Sequence, residues 1–120
     1  MRQSQKWSVA YYVSAGGNAP AEEFIKGLLP QRRAELLRLV RLLSEFGPTL
    51  KEPYVVCLGQ GLWELRSRYA ALIYCVQAMR RCIILCGYVR KGPTTPLQEL
   101  NRALALRADW LVSTKDANEE

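Results

Sequence analysis

The stretch of sequence that decides the fold is YVVCLGQGLWELRSRYAALIYCVQAMRRCIILCGYV, which covers residues 54–89. It consists of short runs of aliphatic, aromatic and cysteine residues, and the aromatic and β-branched types among them favour strands. The runs cover residues 54–58, 61–67, 71–78 and 81–89. Because only two or three residues separate one run from the next, the pattern predicts an antiparallel sheet of three to four strands in meander order.

The last of these runs contains the segment CIIL over residues 82–85, in which every residue is apolar. A strand with one buried face alternates apolar and polar residues, whereas a strand buried on both faces does not. This segment therefore predicts a central strand of the sheet.

The flanking segments predict one further strand and three helices. An aromatic and β-branched run over residues 7–14 predicts an N-terminal strand, and Asn18 is expected to cap a helix that begins near Pro20. Residues 31–46 have an apolar face opposite a charged one, which predicts a second helix and hence a helical hairpin. Thr95 is expected to cap a C-terminal helix. The predicted fold class is α+β, with the helices packed on one face of the sheet.

The composition indicates a single basic domain. The 120 residues suffice for one domain with its own core, so we treat residues 1–120 as one domain and expect residues 1–6 and 113–120 to be frayed. The formal charge of +6 attracts polyanions such as RNA, DNA, an anionic membrane or an acidic protein. The N-terminus is too polar for a signal peptide, and no apolar run is long enough for a membrane span. We therefore expect a cytoplasmic protein that does not bind membranes.

The cysteines and the absence of histidine restrict the chemistry. Cys57, Cys75, Cys82 and Cys86 each lie in an apolar run, and none belongs to a CxxC pair. We expect all four to be reduced and packed in the interior. Without histidine there is no imidazole general base, and the usual zinc ligand sets lack a partner. A phosphate-binding glycine loop is also missing, and carboxylates are scarce in the strand region, where Glu64 is the main candidate, so the pattern does not favour a two-carboxylate hydrolase. We expect neither a metal nor a cofactor.

Arginine, lysine and tyrosine remain as residues that could act on a ligand. Strand alternation places Glu64, Arg66 and Arg68 on one face, and Tyr74 and Tyr88 lie in neighbouring strands. Guanidinium groups clamp phosphate with forked hydrogen bonds, and aromatic rings stack on bases, so this face suits RNA. The alternative interpretation is the solvated face of a basic protein, on which Glu64 pairs with an arginine for solubility.

Four segments stand out by their order and spacing. They are GLWELR over residues 61–66, ALIY over 71–74, LCGYVRK over 85–91, and Thr94-Thr95-Pro96 followed by Glu99, Ala103 and Trp110. Together they resemble the phage-derived branch of the HigB-like toxins, within the RelE/ParE superfamily. The resemblance extends over residues 9–110, and the element order predicted above agrees with that superfamily.

The resemblance implies a RelE-like fold and the toxin of a toxin–antitoxin system. Toxins of this kind are ribosome-dependent messenger RNA endonucleases, also called mRNA interferases. The messenger's own 2′-hydroxyl attacks the next phosphate, so the reaction needs no metal. The implied partners are a helix-turn-helix antitoxin, the ribosome and its messenger. An acidic antitoxin would complement the charge of +6.

The resemblance also assigns roles by position. Arg66 is a phosphate clamp, Arg90 and Lys91 are further clamps or a proton donor, and Tyr88 stacks on a base. These four are the candidate catalytic residues, and we expect little structural role for Arg66 and Lys91. The further RNA-binding candidates are Glu64, which also orients Arg66, together with Arg68, Tyr74 and Arg81.

Two positions depart from the family pattern. Ala71 stands where the family has an arginine, and Cys86 stands where it has a histidine. These departures favour a second hypothesis, in which the fold is kept as a catalytically inactive module that binds RNA or an antitoxin-like repressor. A third hypothesis is a gyrase-inhibiting toxin of the same superfamily. The segment from Gly87 to Lys91 favours the HigB-like branch over that one.

Overall fold

The structure is a computed structural model that describes residues 7–78 and 80–118. The fraying expected for residues 1–6 and for the last two residues lies outside the described residues. Residues 113–118 continue the C-terminal helix.

The described residues form one mixed sheet of five strands. They are β1 (Ser8–Tyr11), β2 (Val55–Gly59), β3 (Leu62–Arg66), β4 (Ala70–Gln77) and β5 (Arg81–Val89). Their order across the sheet is β1-β5-β4-β3-β2. Strands β2 to β5 are antiparallel neighbours, and β1 pairs with β5 in parallel. The predicted meander is confirmed with four strands, and the apolar segment 82–85 lies in β5, the strand between β1 and β4.

Helices precede and follow the meander. They are α1 (Pro20–Lys26), α2 (Pro30–Phe46), a short 3-10 turn (Gly47–Thr49) and α3 (Leu97–Asn118). Pro20 and Pro30 begin α1 and α2, where the missing backbone N–H of proline costs no helical hydrogen bond. Among the described residues, no helix combines the length and the apolar character that crossing a membrane requires.

The entry into α1 differs from the prediction. The Ser14 amide donates to the Asn18 carbonyl oxygen at 2.8 Å, and the Asn18 amide donates to Ser14 Oγ at 3.0 Å. These two bonds close a turn over residues 14–18. Strand β1 ends at Tyr11, before the end of the predicted run over residues 7–14. Ala19 precedes the helix without a side-chain cap hydrogen bond, so the prediction that Asn18 caps α1 is wrong.

The helices pack on both faces of the sheet, which corrects the expectation of one covered face. On one face the core joins Leu36 and Leu39 of α2 to Leu65 and Leu72 of the sheet. On the other face a second core contains Ala103 of α3. The two clusters separate because alternate strand residues point to opposite faces. Burial on both faces explains why β4 and β5 are almost continuously apolar.

Strand β5 allows α1 to pack closely because it contains a glycine. A Cβ atom at Gly87 would lie 2.4 Å from Cδ2 of Phe24 and 2.8 Å from Cδ2 of Leu72. A side chain at this position would force the side chains of Phe24 and Leu72 to shift.

The cysteines are not all interior. Cys75, Cys82 and Cys86 are buried in the sheet as expected, but Cys57 is exposed on β2. The strand β2 is an edge of the sheet, so its side chains have fewer neighbours than those of β4 and β5. The prediction that all four cysteines are buried is therefore wrong for Cys57.

Candidate functional site

A buried carboxylate organises the end of the sheet beneath α3. Glu64 is fully buried. Its Oε2 accepts a hydrogen bond from Nε of Arg66 at 2.8 Å and from the Tyr88 hydroxyl at 2.9 Å. Its Oε1 accepts from the Thr95 hydroxyl at 2.7 Å. Three donors, one of which carries the opposite charge, compensate the carboxylate for its loss of water.

The strand register brings these groups together. Arg66 pairs with Ala71 across β3 and β4, and Ala71 pairs with Tyr88 across β4 and β5. The three residues therefore form one row on the face covered by α3. Thr95, which was expected to cap α3, lies just before that helix and donates to Glu64. The side chain of Ala71 is small enough to leave room between its two larger neighbours.

The guanidinium of Arg66 is bound within the protein on one edge and is partly exposed in a cleft. Its Nε edge is paired with Glu64, and its Nη2 donates to Thr95 Oγ1 at 3.4 Å. Its side chain is nevertheless 15% exposed and lines a cleft. The expectation of little structural role for Arg66 is therefore wrong. The pairing fixes the orientation of the guanidinium before any ligand arrives.

Tyr88 is a buried donor rather than an open ring. It is 7% exposed, and its ring belongs to the core beneath α3. Burial is the largest cause that raises the pKa of Tyr88 to about 12, and the charge of Glu64 also raises it. The phenol is therefore protonated at neutral pH and donates to Glu64. This placement makes Tyr88 a residue that positions Glu64 and Arg66.

Arg90 holds the turn between β3 and β4. Its Nη1 donates to the Ser67 carbonyl oxygen at 2.8 Å, and its backbone amide donates to the Tyr69 carbonyl oxygen at 2.9 Å. The Ser67 hydroxyl also donates to the Ala70 carbonyl oxygen at 3.0 Å. The turn over residues 67–70 is thus tied to the end of β5 and closed on itself.

These elements enclose a basic cleft of about 230 Å³ at the end of the sheet. Its lining includes four arginines and one glutamate, namely Arg38, Arg66, Arg68, Arg90 and Glu35. Pro53 and Tyr54 close the side next to β2. A cleft with this excess of guanidinium groups favours an anionic ligand, and a phosphodiester fits their forked donor geometry.

The other residues predicted from the sequence fall in different places. Lys91 is exposed and follows Arg90 just after the end of β5, and it is not among the described residues that line the cleft. Arg81 begins β5 at its opposite end, about 26 Å from Val89 for a strand of this length. Tyr74 is 4% exposed and packs in the core between α2 and the sheet. The structure therefore brings Arg66, Arg68 and Arg90 together in the cleft and leaves Arg81 and Tyr74 apart from them.

The two departures from the family pattern lie in the α3 core. Ala71 and Cys86 are both fully buried. Burial is the largest cause that raises the pKa of the Cys86 thiol to about 12. The thiol is therefore protonated at neutral pH, and Cys86 cannot replace histidine as a proton acceptor.

Sequence reasoning did not predict that α2 contributes residues to the cleft and to the contact with Tyr69. Arg38 and Glu35 line the cleft, and Cζ of Arg32 lies 4.1 Å from the centroid of the Tyr69 ring. The signal in the sequence was the arginine-rich outer face of α2. That face could not be oriented toward the turn over residues 67–70 without knowing which side of the sheet α2 covers.

Comparison with known proteins agrees with this architecture. Residues 23–108 match the family model described as Phage derived protein Gp49-like (DUF891). The fold is similar to a chain in the crystal structure of the toxin–antitoxin complex RelBE2 from Mycobacterium tuberculosis, with a TM-score of 0.55 and 16% sequence identity. That match covers 77% of this chain and 100% of the other, and at this identity it concerns the fold. Among proteins with curated descriptions, none is significantly similar to the sequence. The chain belongs to the phage-derived Gp49-like family, and it has a RelE-like fold.

Proposed function

We propose that this protein is the toxin of a toxin–antitoxin pair and that it cleaves messenger RNA on the ribosome. The observation that carries the proposal is the basic cleft, in which the buried Glu64 fixes the guanidinium of Arg66. The RelE-like fold supports it, because the similar chain comes from a toxin–antitoxin complex. A charge of +6 suits both a messenger and an acidic antitoxin. We propose a helix-turn-helix protein as that antitoxin.

The proposed reaction is a transesterification within the messenger. The 2′-oxygen of one nucleotide attacks the adjacent phosphorus and loses its proton, while the bond from phosphorus to the 5′-oxygen breaks. The 5′-oxygen takes up a proton, and the products are a 2′,3′-cyclic phosphate and a 5′-hydroxyl. The phosphorane between these states carries an additional negative charge, which oriented cations stabilise.

We assign different roles in this reaction to the residues in and around the cleft. Arg66 offers its outer guanidinium edge to the phosphate, because its inner edge is already bound to Glu64. Lys91 is exposed and directly follows Arg90, which lines the cleft, and we assign it to give a proton to the leaving 5′-oxygen. Glu64 and Tyr88 position Arg66 and do not touch the messenger. Arg90 fixes the turn that carries Arg68.

The inactive-module hypothesis has one observation in its favour. Ala71 and Cys86 are fully buried where the family has an arginine and a histidine. No side chain at these two positions reaches the cleft. If the chemistry of the family depends on them, the cleft of this chain binds RNA without cutting it.

The experiment that separates these hypotheses is messenger cleavage in a purified translation system, mapped by primer extension with and without ribosomes. The wild type is compared with Arg66→Lys, which keeps the charge beside Glu64 but loses the forked geometry. Arg81→Lys is the matched control at the far end of β5. We expect ribosome-dependent cuts, a rate about 100- to 1,000-fold lower in Arg66→Lys, and no change in Arg81→Lys.

Two results would count against the proposal. Equal rates for Arg66→Lys and the wild type would remove Arg66 from the site. No cuts from a folded wild-type protein would replace the nuclease with the inactive module.

A further inference from the structure

The turn between β3 and β4 presents an aromatic ring beside the cleft. Tyr69 is 39% exposed at the tip of this turn. The Cζ atoms of Arg32 and Arg68 lie 4.1 Å and 5.6 Å from the centroid of its ring. Both distances are within the range of a cation–π interaction. The ring is therefore held by cations and still open to solvent.

The turn that carries this ring is restrained from several directions. The Ser67 amide donates to the Ala70 carbonyl oxygen at 2.9 Å, and the Ala70 amide donates to Ser67 Oγ at 3.1 Å. The Arg90 amide donates to the carbonyl oxygen of Tyr69 itself. The backbone beneath the ring is thus already ordered, so a ligand that stacks on the ring binds with little loss of backbone conformational entropy.

The ring is also continuous with the cleft. Arg68 lines the cleft together with Arg66 and is at the same time the chain neighbour of Tyr69. An RNA strand that places a phosphate against Arg66 and Arg68 carries its neighbouring base toward the turn. Unpaired bases stack on aromatic rings and on guanidinium planes, and this stacking tolerates any base because each has a π-face.

We propose that Tyr69, with Arg32 against its ring, is a stacking platform for an unpaired RNA base next to the phosphate cleft. This inference rests on the proposed function in taking RNA as the ligand. It adds a residue that binds a base, whereas the cleft residues bind phosphate. Burial excludes Tyr74 and Tyr88 from this role, since they are 4% and 7% exposed.

The test measures binding without cleavage. The full-length protein is titrated into a labelled single-stranded 2′-O-methyl oligoribonucleotide, which lacks the attacking hydroxyl, and binding is followed by fluorescence anisotropy. The same oligonucleotide with abasic residues is the matched ligand. We expect Tyr69→Ala to bind the base-bearing oligonucleotide about 5- to 150-fold more weakly than the wild type, with no change for the abasic one. Tyr69→Phe should bind both as the wild type does.

The comparison of the two ligands on the wild type needs no substitution, so it holds even if a variant folds poorly. Equal affinity of the wild type for both ligands would overturn the platform, as would equal weakening of both by Tyr69→Ala, or no binding at all. Cleavage by the wild type together with any of these results would leave the nuclease standing and remove the platform. Base-dependent binding through Tyr69 without cleavage by the wild type would support the platform and count against the nuclease.

Discussion

Nε of Arg66 lies 2.8 Å from a carboxylate oxygen of Glu64, and Glu64 is fully buried beneath it. The pair connects the stability of the sheet with the orientation of the arginine in the cleft. Removal of either partner leaves a charge without its counterion, so substitutions at this pair change folding as well as function.

The first prediction concerns Glu64. Glu64→Ala should lower the free energy of unfolding by about 3–5 kcal/mol, because it leaves three donors without their acceptor and Arg66 without its counterion. Glu45→Ala, at an exposed position of α2, should change it by less than about 0.5 kcal/mol. Urea denaturation measures both values. Similar small losses in the two variants would mean that the network contributes little to the fold.

The second prediction concerns alkaline pH. The pKa of Tyr88 is about 12 in the folded protein and 10.0 for a free tyrosine, chiefly because of burial. The unfolded chain therefore loses this proton first as the pH rises. The contribution of Tyr88 is complete below pH 10 and is lost between about pH 10 and 12.

This loss of stability with rising pH can be checked by urea denaturation at several pH values. Between pH 10 and 12 the unfolding free energy of the wild type should fall more steeply than that of Tyr88→Phe, by up to about 1.4 kcal/mol per pH unit. Part of the slope should remain in the variant, because the pKa of Tyr12 is also raised to about 12, first by its hydrogen bond to Asp109. Parallel curves for the two proteins would contradict the assignment.

The third prediction concerns cysteine reactivity. Cys57 is exposed, whereas Cys75, Cys82 and Cys86 are buried and burial raises the pKa of each of these three thiols. Since the thiolate is the reactive form, native alkylation should add one label quickly, and three more only on unfolding. Mass spectrometry counts the labels, and Cys57→Ser should abolish the fast one. A fast label on this variant would show that the sheet opens locally.

The strands of the fold could be predicted because their sequence pattern is local. The four apolar runs are separated by short turns, and the segment 82–85 lacks polar residues, so both the meander and its buried central strand were predictable. The side of the sheet that each helix covers could not be predicted, because an apolar helix face such as that of α3 can pack on either face of a sheet. The continuous burial of β4 and β5 required helices on both faces.

The candidate site was predictable only where it follows the strand pattern. Alternation placed Glu64 and Arg66 on one face, and the structure joins them. Alternation could not show that Glu64 is buried, because the donors that compensate it come from β5 and from the segment before α3. Arg38 reaches the cleft from a helix distant in sequence, so only the tertiary structure assigns it.

The last prediction separates two adjacent basic residues. Lys91 is exposed, so Lys91→Ala should change the free energy of unfolding by less than about 0.5 kcal/mol and still reduce messenger cleavage by about 100-fold or more, as expected for the loss of a proton donor. Arg90 holds the Ser67 carbonyl oxygen through its side chain. Arg90→Ala should therefore reduce both stability and cleavage. Because the backbone bond from residue 90 to Tyr69 survives in both variants, the side chain alone accounts for the difference.

Thermal unfolding and primer extension on the same preparations give both the stability and the cleavage rate of each variant. A stable Arg90→Ala protein with full activity would remove Arg90 from the site, and full activity of Lys91→Ala would move proton donation to another residue.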